Sequence, residues 1–216
     1  MDLLYWFVDF ILHLDQHLTE LVAAYSIWVY AILFLIIFCE TGLVVTPFLP
    51  GDSLLFALGA LAAVDVTGTL QPLWLWLLLV TAAVLGNEAN YRIGGAIGPR
   101  AFSGSIPWLK YDYLVKTQQF YAKYGRLTII LSRFVPIVRT FAPFVAGVGQ
   151  MNPRVFSLYN FVGGFSWVTI FIWSGYLFGN VPIVKNNFGV VTIIIIVLSL
   201  LPVVWGLLRK EPQPQG

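Results

Sequence analysis

No lysine or arginine occurs before Arg92, and the whole chain of 216 residues holds one cysteine and two histidines. Each scarcity excludes something. The lone Cys39 rules out an intrachain disulfide and leaves the redox compartment unread. Both histidines, His13 and His17, fall near the amino end, so no serine or cysteine deep in the chain pairs with one, and a hydrolytic triad is not supported. No Walker or dinucleotide glycine motif is present, which argues against bound nucleotide. Charge itself is scarce: 10% of residues are Asp, Glu, Lys or Arg, against 59% hydrophobic, and the mean hydropathy is +0.84. A soluble domain could not cover so much apolar side chain with so few charges. The composition predicts an all-α integral membrane protein with one compact domain over residues 1–210 and a flexible polar tail over 211–216.

What is there is arranged in a definite order. The start, Met-Asp-Leu-Leu-Tyr-Trp, lacks a basic stretch and a small-residue cleavage site, and is not expected to be a signal peptide. Residues 2–20 read as an interfacial amphipathic helix, with Leu3, Phe7, Ile11, Leu14 and Leu18 on one face and Asp9, His13 and His17 on another. Those polar spacings could in principle hold a metal, but a polar face suffices to explain them, so neither metal nor cofactor is expected.

Spans are predicted at 21–39, 73–91, 155–178 and 188–208. Segments 40–64 and 127–149 are equally apolar, but Pro47, Pro50 and Gly51 interrupt the first, and Pro136 and Pro143 the second. Each reads as a helix–turn–helix re-entrant hairpin. Between them, residues 92–126 carry six of the twelve bases, Arg92, Arg100, Lys110, Lys116, Lys123 and Arg126, and are expected to face the cytoplasm. If 127–149 crossed fully, Arg209 and Lys210 would lie outside; as a hairpin it keeps them, and both termini, inside. The two hairpins then point toward each other. Pro47-Phe48-x-x-Gly51 beside Pro143-Phe144-x-x-Gly147 suggests an inverted repeat of the kind found in transporters.

Four charges sit where lipid should forbid them: Glu40 and Asp52 in the first hairpin, Arg133 and Arg139 in the second. A cation at bilayer depth costs roughly 2.5–3.5 kcal/mol on insertion scales. Forked guanidinium donors suit phosphate oxygens, so the arginines are candidate anion ligands. The acids, pulled oppositely by desolvation and by nearby cations, are candidate proton carriers. Plainer readings stand beside these. Arg133 could snorkel to the headgroups, Arg139 could satisfy carbonyls freed by the prolines, Glu40 could be interfacial, and Asp52 could cap a helix. Glu88 reads as a water-exposed residue at a span's inner end. Gly147 is expected to shape the second hairpin together with Pro136 and Pro143, and the glycines at 86, 94, 95, 163, 164, 175 and 179 read as sites of close helix approach.

The stretches Phe38-Cys-Glu40-Thr-Gly-Leu-Val-Val-Thr-Pro-Phe-Leu-Pro-Gly-Asp52-Ser and Ser132-Arg133-Phe-Val-Pro136-Ile-Val-Arg139-Thr-Phe-Ala-Pro143-Phe-Val-Ala-Gly147 resemble the bacterial DedA family, within the VTT-domain (SNARE-associated) membrane proteins. The resemblance extends over nearly the whole chain and is strongest to gammaproteobacterial members. It implies an inner-membrane lipid transporter with opposed re-entrant helices, acting in envelope integrity, with undecaprenyl phosphate as substrate. Because returning an anionic headgroup inward opposes an inside-negative potential, protons are the expected coupling ion. It carries the acidic pair to Glu40 and Asp52 and the basic pair to Arg133 and Arg139. One motif departs: the family commonly has Gly-Asp where this chain has Gly86-Asn87 and then Glu88. A non-selective phospholipid scramblase, a proton-coupled cation antiporter and a structural scaffold remain alternatives. No enzymatic activity and no nucleic-acid partner are expected, and a homo-oligomer is left open.

Overall fold

Pro72 and Pro153 each open a helix of 26 residues, and these two helices organise the rest. Proline is at home there because the first helical N–H has no intrahelical acceptor. The computed structural model describes residues 20, 24–25, 27–43, 51–65, 68–98, 100, 111–179 and 181–182, and among them the only regular structure is helical. The interfacial helix expected over 2–20 (bar Glu20), Pro47, Pro50, the last span and the tail lie outside the described residues.

In chain order the helices are α1 (Trp28–Gly42), α2 (Gly51–Val64), α3 (Pro72–Ile97), α4 (Tyr111–Tyr124), α5 (Thr128–Leu131), α6 (Pro136–Val148) and α7 (Pro153–Phe178). Short 3₁₀ turns, Gly125–Leu127 and Ser132–Phe134, flank α5. Among the described residues, only α3 and α7 are long and apolar enough to cross a membrane, at about 39 Å each against a hydrocarbon core of about 30 Å. The outer surface is itself apolar, with Trp28, Trp74, Leu158 and Leu177 all exposed, as suits a bundle bathed in lipid.

α3 and α7 run antiparallel. Trp76 Nε1 donates to Thr169 Oγ1 at 2.9 Å, Asn160 Nδ2 to the Val84 carbonyl at 2.9 Å, and Ser157 Oγ to Glu88 Oε2 at 3.4 Å. The first and last of these contacts are images of one another. Trp76 and Ser157, Glu88 and Thr169, and Pro72 and Pro153 are all separated by the same interval in sequence. The short helices obey the same twofold relation. α2 packs on α7, and α6 packs on α3. On α2, a Cβ at Gly59 would strike the Ile172 carbonyl, and one at Gly175 of α7 would strike that of Phe56. On α6, a Cβ at Gly147 would strike the Tyr91 carbonyl, and one at Gly94 of α3 would strike that of Phe144. Four glycines thus permit two equivalent backbone crossings.

Several sequence-based expectations are corrected here. The repeat aligns Phe56-x-x-Gly59 with Phe144-x-x-Gly147, not the Pro47–Gly51 stretch, because a helix crossing rather than a turn sets the correspondence. Gly147 accordingly lies within α6 and does not shape a bend. The first span runs past residue 39 to Gly42, so Glu40 rides its last turn. The second runs past residue 91 to Ile97, so Arg92 lies in that helix rather than in the segment that follows it.

Pro136 does mark a break: Val135 is extended, as a residue before proline prefers, and α6 starts at Pro136. Pro143, however, lies inside α6 without ending it. It forfeits one intrahelical bond. Neighbouring carbonyls of the same turn are held from outside, Thr140 O by Asn90 Nδ2 at 2.9 Å and Ala142 O by the Tyr121 hydroxyl at 2.9 Å.

Candidate functional site

The four charges predicted from sequence converge on one buried cluster, each delivered by a different broken element. Glu40 comes from the last turn of α1, Asp52 from the first turn of α2, Arg133 from the 3₁₀ turn after α5 and Arg139 from the first turn of α6. All are buried, Arg133 to 1% exposure and Glu40 to 4%.

Arg139 is held by both acids. Its Nη2 donates to Glu40 Oε1 at 2.7 Å and its Nη1 to Asp52 Oδ1 at 2.9 Å. Asp52 Oδ1 also accepts from Trp167 Nε1 at 2.8 Å. The indole face lies under both arginines, 5.4 Å from the Arg139 guanidinium carbon and 5.8 Å from that of Arg133. Two cations on one ring are favourable to each and keep them close despite their repulsion.

Arg133 is bound differently. Its Nη2 donates to Asn160 Oδ1 at 2.7 Å and to the Ala83 carbonyl at 3.2 Å, both neutral acceptors. Its Nε and Nη1 are buried with no hydrogen-bond partner among the described residues. Gly163 and Gly164 of α7 make room for this guanidinium: a Cβ on Gly164 would lie 3.2 Å from Nη2 and one on Gly163 3.5 Å from Nε. On the acidic side, Glu40 Oε2 and Ser53 Oγ are likewise buried without a partner among the described residues. The Glu40 carboxylate fills the space a Cβ on Gly51 would need, so glycine there admits the acid.

Polar groups in the long helices fix this arrangement. Asn90 Nδ2 bridges the carbonyls of Thr41 and Thr140, the residues next to Glu40 and Arg139, at 3.2 and 2.9 Å. Asn160 orients Arg133 while anchoring itself on Val84. Sequence reasoning missed Asn90, Asn160 and Trp167. The available signal was an amide inside each apolar span, a group that burial obliges to find partners. Glu88 stands apart, paired with Arg92 at 3.1 Å, with the Arg92 side chain 77% exposed. Asn87, which precedes Glu88, is buried with its Oδ1 unpartnered among the described residues. Asp9, His13 and His17 lie outside the described residues, and no group of three or more metal-type ligands occurs among the described ones.

The VTT domain family matches residues 49–177, which include Asp52, Arg133, Arg139, Asn160 and Trp167. The chain is 55% identical over 212 residues to Protein DedA of Escherichia coli K12, covering 98% of this chain and 96% of that one. It belongs to the DedA family of membrane proteins. More distant DedA-family relatives carry the label of inner membrane proteins. YghB of Salmonella typhimurium LT2 is 32% identical over 94% of this chain and 89% of its own, and YqjA of E. coli K12 is 33% identical over 82% and 80%. No solved structure matches the chain.

Proposed function

We propose that this DedA-family protein is an inner-membrane transporter, not an enzyme, that moves a lipid phosphate between leaflets, with undecaprenyl phosphate as its substrate and protons as its coupling ion. One observation carries the reading: a fully buried Arg133 keeps two N–H-bearing nitrogens without a partner among the described residues, beside a second guanidinium. Buried polar groups are almost always satisfied, and a cation left open in this way suits a visiting anion.

The charge balance supplies the coupling. Two acids and two arginines sum to zero, and Arg139 is occupied by both carboxylates. A phosphate arriving at Arg133 adds negative charge to a site that cannot shed it into solvent. A proton on Glu40 restores neutrality and loosens its hold on Arg139 Nη2, which then turns to the phosphate. The charges around Glu40 are Arg139 on α6, Asp52 on α2 and Arg133 ahead of α6. Returning an anionic headgroup inward against an inside-negative potential costs roughly 2.3 kcal/mol per charge per 100 mV, and an accompanying proton cancels that. In this reading α3 and α7 span the membrane. The α1–α2 and α5–α6 elements enter from opposite faces as re-entrant hairpins, and both termini are cytoplasmic.

The test is inward movement of labelled undecaprenyl phosphate in proteoliposomes, with and without a pH gradient. Transport should respond to the gradient and be lost in Arg133→Ala. Normal transport by that variant would remove the headgroup role. Equal, pH-indifferent movement of phosphatidylglycerol would replace the reading with a scramblase, and cation flux without polyprenyl phosphate with an antiporter. The two buried ion pairs of Arg139 favour a second reading, a purely structural ion-pair network. That reading requires Arg133→Ala to abolish folded protein rather than activity.

A further inference from the structure

The twofold relation between the halves extends to two cavities, one at each end of the bundle, and neither contains Arg133 or Arg139. The first, of about 540 Å³, is lined by Tyr30, Gly68, Gln71 and Trp74 among others. The second, of about 460 Å³, is lined by Tyr121, Arg126, Gly149, Met151, Asn152 and Val155 among others. Gly68 and Gly149, Gln71 and Asn152, and Trp74 and Val155 share the interval that relates Pro72 to Pro153. The two cavities are therefore equivalent places, each beside the start of a long helix.

They differ in charge. No cation lines the first among the described residues, where the polar groups are the Tyr30 hydroxyl, Thr69 and Gln71. That hydroxyl is already committed, donating to the Thr69 carbonyl at 3.0 Å and accepting from Gln71 N at 2.9 Å. The second has Arg126, exposed and without an acidic partner among the described residues, above walls of Val145, Ala146, Met151 and Val155. Its other polar groups are neutral. Asn152 Oδ1 caps α7, accepting from Arg154 N at 3.0 Å, and burial pushes the Tyr121 phenol well above its ordinary range. A cationic rim over an apolar wall, at the end of a bundle whose sides face lipid, matches an amphiphile with an anionic head.

We propose that the Arg126 cavity is a second binding site, taking the phosphate headgroup and proximal chain of an anionic lipid, while its twofold counterpart lacks this preference. The site stands apart from the Arg133–Arg139 cluster and does not depend on what that cluster carries. Recognition is by phosphate charge plus apolar chain, a chemistry shared by a polyprenyl phosphate and an ordinary anionic phospholipid.

The experiment uses the purified full-length protein in a neutral detergent, a diazirine-bearing phosphatidic acid as probe, and peptide mapping of the photolabel. Label is expected in the 145–155 peptide, falling roughly tenfold in Arg126→Gln, the loss of about one charge-assisted hydrogen bond, and little in Arg126→Lys. Asn152→Asp, which still caps α7 but adds a negative charge, should also lose label. Arg133→Ala, if it folds, and Gln71→Leu should keep it. Competition by unlabelled undecaprenyl phosphate or by phosphatidylglycerol tells which lipid is preferred, and displacement by either supports the site. Unchanged labelling in both Arg126→Gln and Asn152→Asp would overturn the proposal. Equal labelling by a diazirine-bearing phosphatidylcholine, or displacement by millimolar inorganic phosphate alone, would overturn the anionic-lipid assignment.

Discussion

Glu40 and Asp52, which belong to different helices, are held by opposite terminal nitrogens of a single guanidinium, at 2.7 and 2.9 Å from Arg139. Removing the arginine strands two carboxylates in a site with no solvent to screen them. Arg139→Ala should therefore destabilise the protein by about 3–5 kcal/mol, the usual penalty for breaking a buried pair from one side. Adding Glu40→Gln and Asp52→Asn to that variant should recover much of the loss. Thermal unfolding in detergent measures both, and an Arg139→Ala protein as stable as the parent would contradict the assigned network.

Trp167 contributes in two separable ways, an N–H to Asp52 and a ring face to both arginines. Trp167→Phe keeps a ring and loses the hydrogen bond to a charged acceptor, about 1.5–3 kcal/mol. Trp167→Leu should lose about a further 1–2 kcal/mol of cation–π attraction. Equal melting temperatures for the two variants would mean that the ring face contributes nothing.

Asn160 gives Arg133 its one side-chain acceptor among the described residues. Asn160→Asp places a carboxylate there, converting a partly open cation into an ion pair. The expected result is a split: a higher melting temperature together with loss of lipid-phosphate transport. A variant that gains stability and transports normally would show that Arg133 need not be open.

The equivalence of the two helix crossings is also testable. Gly59→Ala and Gly147→Ala each push a methyl into a facing carbonyl, and each should cost about 1–3 kcal/mol or more. Gly125→Ala, where φ is +56° but the space is open, should cost only the backbone term of about 1–2 kcal/mol. Matched losses at Gly59 and Gly147, read by thermal unfolding, are the signature of a true repeat. A neutral effect at one of them would break the correspondence.

Much of this was legible in the sequence because charges in an apolar chain are rare enough to stand out. Glu40, Asp52, Arg133 and Arg139 could be picked by cost alone, and Glu88 set aside by its place at a span's end. The two long helices followed from unbroken apolar length after Pro72 and Pro153. What could not be read was which acid meets which base, since that depends on the packing of four separate elements. Asn90, Asn160 and Trp167 were hidden because amides and indoles are tolerated in spans for many reasons. The repeat was sought at prolines, which mark turns, whereas the packed structure keeps it at Gly59 and Gly147, where backbones touch. Pro143 misled for a related reason, since packing from α3 and α4 outweighed one missing hydrogen bond.

Because α2 rests on α7, and α6 on α3, the order of synthesis matters. The amino-terminal half emerges with Glu40 and Asp52 in place long before the ribosome has made Arg139. Until then the nascent chain holds two acids in an apolar setting with no counter-ion, and a Gly59 face with nothing to cover it. Maturation is thus a capture event, in which the late half neutralises the early one. A ribosome that stalls within residues 98–111 leaves a fragment that quality-control proteases should clear quickly, and that the separately expressed second half should rescue.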